Sequence, residues 1–341
     1  MNRYKIMFFM ALLGCACGCS SAKNDDAPIF GGITSSRYTN PVLKLSTPDP
    51  TVIRARDGLF YAYSTEDTHN IPIYQSKDMV NWTLIGTAFT NETRPSFLSG
   101  GALWAPDIRY INGKYVLYYS LSKWGEIYNN GIGVATSLKP GGPFTDQGSL
   151  LISKNIGVLN SIDQCFFEED GHKYLIWGSF QGIYCVELTN NGLKIKSGSI
   201  PVKIAGKAFE GTYIYKRNNY YYMFASVGSC CEGLNSTYRT VVGRSTSLFG
   251  PYVDKAGKSM MDNAYEVLIA GSDAFKGTGH NSGVITDDKG ADWIMYHAFL
   301  VSDPDAGRCL MLDPVVWVED WPTVKDGIAS SSSMQGPSFN N

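Results

Sequence analysis

The chain has no run of lysines or arginines. Its 29 basic residues are scattered among 31 acidic ones, and the formal net charge is −2. Nucleic-acid binding leaves a basic patch or stripe as its footprint, so that class of partner is not expected. Zinc spacing is missing too. The eight cysteines and four histidines contain no CxxC pair and no Cys/His cluster, which argues against a structural zinc. Five cysteines fall in the body of the chain: Cys165, Cys185, Cys230, Cys231 and Cys309. An odd number is not a full disulfide framework. Cys165 and Cys185 read as buried thiols acting as small apolar groups, and the state of Cys230 and Cys231 stays open. Beyond the N-terminus no segment keeps a helical period with caps, and no linker-like stretch divides the interior.

Long apolar runs are equally scarce. Ile6 to Leu13 is apolar, but a membrane-spanning helix needs about 20 residues. The stretch follows Asn2-Arg3-Tyr4-Lys5 and precedes Leu12-Leu13-Gly14-Cys15. This reads as a signal peptide of the bacterial lipoprotein type over residues 1–18, cleaved before Cys15, Cys17 or Cys19. An exported lipoprotein is expected, anchored by its lipid alone at the outer membrane, on the periplasmic or the cell-surface side. Residues 19–43 read as a flexible tether. The low-complexity end, 323–341, reads as disordered.

What is abundant is tyrosine, 21 residues of it, within an aromatic fraction of 13%. Tyr-rich strands follow turn signals five times: Asp57-Gly58 before FYAYS, Asn112-Gly113 before KYVLYYS, Asp170-Gly171 before HKYLIWGS, Asn218-Asn219 before YYYMFAS, and Lys289-Gly290 before ADWIMYHA. Most of these rings suit half-buried strands. Near the start of the segment before each turn stands Asp49, Asp107, Asp163, Glu210 or His280, at spacings of 58, 56, 47 and 70. Unit two shows four short strands: APDIRYI, KYVLYYSLS, GIGVATS and a strand near Ser149 to Ile152. Four-stranded units repeated in this way predict an all-β fold, a five-bladed β-propeller over residues 44–322. The inner strands of such blades line a channel, so the five heads should converge there. Grouped carboxylates raise one another's pKa, and a protonated carboxyl opposite an ionised one is what glycoside hydrolysis needs.

These motifs resemble glycoside hydrolase family 43, most closely its endo-1,5-α-L-arabinanases. The resemblance rests on Asp49-Pro50-Thr51-Val52-Ile53, Trp104-Ala105-Pro106-Asp107-Ile108, Asn160-Ser161-Ile162-Asp163, Phe209-Glu210-Gly211 and Gly279-His280-Asn281. The stretch from Cys230 to Gly257 and the closing WVEDWP carry it further. It implies Asp49 as the general base, Glu210 as the general acid and Asp163 as the carboxylate that raises and orients the acid. Asp107 matches a supporting position. The family's inverting chemistry implies carboxyl groups roughly 6.5–9.5 Å apart, leaving room for a water. His280 matches a histidine that reaches a metal ion, so calcium, held by His280 and water, is the expected cofactor. Trp104, Asn160, Ser161, Ser179 and Phe180 are the expected substrate contacts.

The expected substrate is arabinan, cut internally at α-1,5 bonds by a monomer. Two departures bear on this: Pro48 stands where arabinanases often have His, and Gly211-Thr212 follows the acid. An exo-acting arabinofuranosidase or β-xylosidase on the same fold is the near alternative. A non-catalytic glycan-binding lipoprotein is the distant one.

Overall fold

Residues 36–340 are described by a computed structural model. The expected signal peptide, the candidate lipidation sites Cys15, Cys17 and Cys19, and the expected tether up to residue 35 lie outside the described residues.

The hairpin signals act as local chemistry requires. Ile111 pairs with Lys114 across the two-residue loop Asn112-Gly113, and both loop residues have positive φ, 48° and 83°. That is the twist-matched turn that Asn-Gly favours. Glu169 and His172 flank Asp170-Gly171 in the same way.

Three antiparallel four-stranded sheets follow one another in the chain. The first runs Thr51–Arg54, Phe60–Tyr63, Pro72–Ser76, Trp82–Thr87. The second runs Ala102–Ile111, Lys114–Ser122, Gly131–Ser137, Thr145–Ile152, and the third Cys165–Glu169, His172–Trp177, Ile183–Leu188, Val202–Ala205. A ten-stranded sheet holds most of the remaining strands. Its first half is Glu210–Arg217, Tyr220–Val227, Arg239–Ser245 and Glu266–Ile269. Its second half contains Phe275–Gly279, Asp292–Leu300 and Arg308–Val318. The halves join through a single parallel bridge, Arg239 to Thr278. The early strand Leu43–Ser46 pairs with Arg308–Val318, so the two ends of the chain share one sheet.

Apolar clusters lie between consecutive units. Tyr61, Ile73, Leu117 and Tyr119 join the first and second. Val134, Leu175 and Trp177 join the second and third, and Ile176, Phe209 and Met223 the third and fourth. Phe224 and Val242 pack with Ile294 and Met311 in the ten-stranded sheet. A further cluster brings Val52, Phe60 and Tyr74 of the first sheet against Trp293, Met295 and Leu310. Burial of such side chains is worth about 1.5–3 kcal/mol each. The tyrosine-rich strands serve chiefly as this packing material: Tyr63, Tyr118, Tyr119, Tyr222 and Tyr296 are fully buried.

Two expectations about the chain ends need correction. The C-terminal segment is ordered. Met334–Gln335 pairs with Arg37–Tyr38. Phe339 is buried with its ring 4.5 Å from that of Phe60. Ser338 and Asn340 donate backbone N–H groups to Asp287 and Asp288 at 3.0 and 2.7 Å. Residues 36–43 are likewise held, with the Tyr38 hydroxyl and Asn40 amide donating to the Leu312 carbonyl at 2.8 and 2.9 Å. Low sequence complexity hid a few anchoring side chains whose partners are far off in the chain. Among the described residues no helix is long and apolar enough to cross a membrane.

Candidate active site

In or just beyond each Tyr-rich strand stands a polar residue that bonds the head of the next unit or, for Thr65, the residue two places before it. Thr65 Oγ1 accepts the Ala105 N–H at 2.8 Å. Ser120 Oγ accepts the Asp163 N–H at 3.0 Å. Ser179 Oγ donates to Glu210 Oε2 at 2.7 Å, and Ser226 Oγ accepts the His280 N–H at 2.8 Å. His297 Nδ1, from the last hairpin, accepts the N–H of Asp49, in the first unit, at 3.0 Å. These bonds are needed because Asp49, Asp163 and His280 sit at φ of 52°, 59° and 48°. Non-glycine residues in that left-handed region are uncommon and are kept there by surrounding structure.

Four of the five heads, Asp49, Asp163, Glu210 and His280, meet at a cavity of about 730 Å³. Asp49 is surrounded by cations. Arg308 Nη1 donates to its Oδ1 at 3.1 Å and His280 Nδ1 lies 3.3 Å from the same oxygen. Thr65 donates to Oδ2 at 2.6 Å. Burial opposes charge on this carboxyl, but Arg308 and His280 hold it well below the usual carboxylate range. Its other imidazole neighbour is neutral: burial and Arg308 push His297 well below the usual histidine range. That agrees with Nδ1 acting as the acceptor of the Asp49 N–H.

Glu210 and Asp163 have no cation in contact. Burial pushes both upward, Asp163 to about 8 with added repulsion from Glu210 and Asp49, and Glu210 with added repulsion from Asp49, while the charge on His280 opposes both shifts. Such a pair loses its protons as a unit, so one proton stays on it through neutral pH. Asp163 Oδ2 accepts the N–H of Gly211, next to the acid, at 3.2 Å. Gly211 is required there: its φ is +56°, and a Cβ would stand 3.0 Å from the His280 ring. The buried Tyr238 hydroxyl lies beside Glu210 and Ser226 and partly offsets the upward shift of Glu210.

The structure separates the remaining expected residues. Trp104, Asn160, Ser179 and Phe180 line the cavity. Asn160 already uses its amide, donating to the Ser179 carbonyl at 2.9 Å and accepting from Asn130 at 2.8 Å. Ser161 is not a cavity residue. It is fully buried, donating to the Val158 carbonyl at 2.8 Å and accepting from Trp177 Nε1 at 2.9 Å. Asp107 does not line the cavity; it ties units together by accepting from Thr51 at 3.3 Å and from the Phe166 N–H at 2.7 Å, and it pairs with Arg109 at 2.9 Å.

The calcium expectation is overturned. Among the described residues no group of three or more His, Cys, Asp or Glu side chains is placed to hold a metal ion. His280 faces Asp49 through Nδ1, and although burial opposes it, Asp49 raises the imidazole to about 9. A protonated ring has no lone pair for a cation.

Arg308, Thr65 and Tyr238 escaped the sequence reading, and His297 had there only a weaker claim than His280 as a metal contact. Thr65 and His297 had a visible signal, the polar residue in or just beyond each Tyr-rich strand. Arg308 had none, because it comes from the strand after the last hairpin.

Opposed protonation states on neighbouring carboxylates suit the cleavage of a glycosidic bond, and the class defined by this fold and site is the glycoside hydrolases. A family model, glycosyl hydrolases family 43, matches residues 38–322, and the chain belongs to that family. It is 35% identical over 291 residues to the extracellular endo-α-(1→5)-L-arabinanase 1 of Bacillus subtilis (strain 168), covering 81% of this chain and 86% of the relative. It is 34% identical over 305 residues to the extracellular exo-α-(1→5)-L-arabinofuranosidase ArbA of Cellvibrio japonicus (strain Ueda107), covering 82% and 86%. Among solved structures, Cellvibrio cellulosa α-L-arabinanase complexed with arabinohexaose superposes with a TM-score of 0.74 at 32% identity, covering 83% of this chain and 96% of that one.

Proposed function

We propose that this protein is an endo-acting, inverting hydrolase of α-1,5-linked L-arabinan. One observation carries the reading: Arg308 and His280 lie 3.1 and 3.3 Å from Asp49, whose pKa is lowered, while among the described residues no ion pair reaches Glu210 or Asp163, whose pKa values are raised. Asp49 takes a proton from a water as the water oxygen attacks the anomeric carbon. The bond from that carbon to the leaving oxygen breaks, and the leaving oxygen receives the proton of Glu210. Asp163 supports this by holding Gly211, and the repulsion between the two carboxyls disfavours charge on both at once. Trp104, Asn160, Ser179 and Phe180 would bound the substrate. The apolar clusters between consecutive units, the last uniting first and final sheets, support a ring of five blades around this site. Residues 1–35 would serve as signal and lipid tether, leaving a monomeric catalytic unit outside the cytoplasm.

Protein lacking residues 1–35 is incubated with linear arabinan, branched arabinan and xylan, and the products are separated by size. A ladder of oligosaccharides from linear arabinan is expected. Monosaccharide alone in the first minutes would replace the endo reading with the exo one.

A further inference from the structure

Cys230 and Cys231 are joined to each other by a disulfide, and both line the cavity. Nothing in the proposed hydrolytic step uses them. Their position follows from strand register: Glu210 pairs with Ser226 across adjacent strands, and Cys230 is the fourth residue after Ser226. The loop that carries them is clamped at its base. Ser229 donates its N–H to Thr237 Oγ1 at 3.0 Å, and Thr237 returns its own N–H to Ser229 Oγ at 3.3 Å. Tyr238 N–H donates to the Ser229 carbonyl at 3.1 Å. Gly228 allows the tight entry, since its φ is +90° and a Cβ would lie 2.6 Å from the Thr237 carbonyl oxygen. Tyr238 then stacks on His297 at 5.7 Å, fastening the loop to the residue that holds Asp49.

A disulfide between adjacent residues has no free rotor. It shows polarizable sulfur to the cavity and offers no strong hydrogen-bond donor. A surface fixed in advance binds without the entropy cost of ordering side chains. Cys230 is half-buried and Cys231 exposed, so the pair is accessible from the cavity. Glu232, which also lines the cavity, adds a carboxylate able to accept from a hydroxyl. We propose that the Cys230–Cys231 disulfide is one wall of a sugar subsite, packing against the C–H face of a neutral pentosyl unit near the bond to be cut. The identity of that unit as arabinofuranosyl rests on the function proposed above.

The test separates the two readings by measuring binding rather than turnover. Calorimetry follows linear α-1,5-arabinohexaose and, separately, xylohexaose binding to the Glu210→Gln protein, with and without Cys230→Ser plus Cys231→Ser. The double change should weaken arabinohexaose about 10-fold, the scale of a lost apolar contact, with an unaltered melting temperature. If the variant does not fold, Glu210→Gln protein with intact cysteines is treated with a phosphine. The phosphine takes oxygen from water, and the two hydrogens go to the sulfurs, a gain of two mass units. The same weakening is expected. Unchanged affinity in folded or reduced protein overturns the subsite. Disulfide-dependent binding of xylohexaose alone sinks the arabinan reading and leaves the subsite standing. No binding of either sugar overturns both.

Discussion

His297 Nδ1 accepts the backbone N–H of Asp49 at 3.0 Å, across 248 residues of chain. Replacing it with alanine leaves that N–H without its partner, which costs about 1–3 kcal/mol. Asp49 would also lose what fixes its left-handed backbone. We expect His297→Ala to lower the melting temperature and to cut kcat on the order of 10–100-fold, the scale of a small misplacement of a reacting group. His297→Asn, which offers an oxygen acceptor, should recover part of both. Wild-type kcat in the alanine variant would refute the positioning role.

Asp49 and Glu210 should fail differently. Asp49→Asn removes the group that activates water, so it should slow every substrate on the order of 10²–10⁴-fold. Glu210→Gln should slow arabinan by a similar factor yet spare an arabinoside with a dinitrophenolate leaving group, which departs without protonation. Equal losses on both substrates would contradict the assignment of the acid.

The pH profile has a definite sign. Asp49 must be charged, and its pKa lies well below the ordinary value, so activity should persist below pH 4 before the acid limb appears. The acid must be protonated, and the Asp163–Glu210 pair is raised, Asp163 to about 8. Activity should therefore fall as pH rises through that region. Arg308→Gln removes the cation with the largest effect on Asp49 and should move the acid limb of kcat/KM upward. An unmoved acid limb would show that another group sets it. The same depressed pKa makes Asp49 a contributor to stability above the unfolded value, lost as pH falls through the folded one.

Asp107 should matter to stability rather than chemistry. Asp107→Ala leaves Arg109 charged and without its carboxylate, a loss of about 3–5 kcal/mol for a broken buried pair. It also frees the Phe166 N–H. Chemical denaturation should show the loss, while the folded fraction keeps a kcat within a few-fold of wild type. A collapse of kcat without loss of stability would place Asp107 in the chemistry.

The last residues can be tested by Phe339→Ala. The ring packs on Phe60 and under the Arg54 guanidinium, 5.0 Å from its centroid. Removal of a buried Phe costs about 3–5 kcal/mol. Denaturation of the variant at wild-type denaturant concentration would mean that the segment contributes nothing.

Much of this protein was legible as pattern. Asn112-Gly113 and Asp170-Gly171 announce their hairpins through backbone preference alone, and the recurring turn-bounded tyrosine-rich runs announce strands. The recurrence of an acidic residue before each turn marked Asp49, Asp163 and Glu210 as companions, because equivalent places in stacked units face the same way. What local pattern could not convey was the charge each would carry. Coulomb energy depends on distance in space, and Asp49 takes its charge state from Arg308, 259 residues away, while Glu210 and Asp163 touch no cation. The same cause explains the ordered C-terminus, whose Phe339 finds Phe60 only in the folded chain, and Ser161, which lies next to cavity residues in sequence but turns into the core to meet Trp177. Sequence determined the repeated units and the types of group at their heads; tertiary structure alone decided which heads are ionised and which side chains reach the cavity.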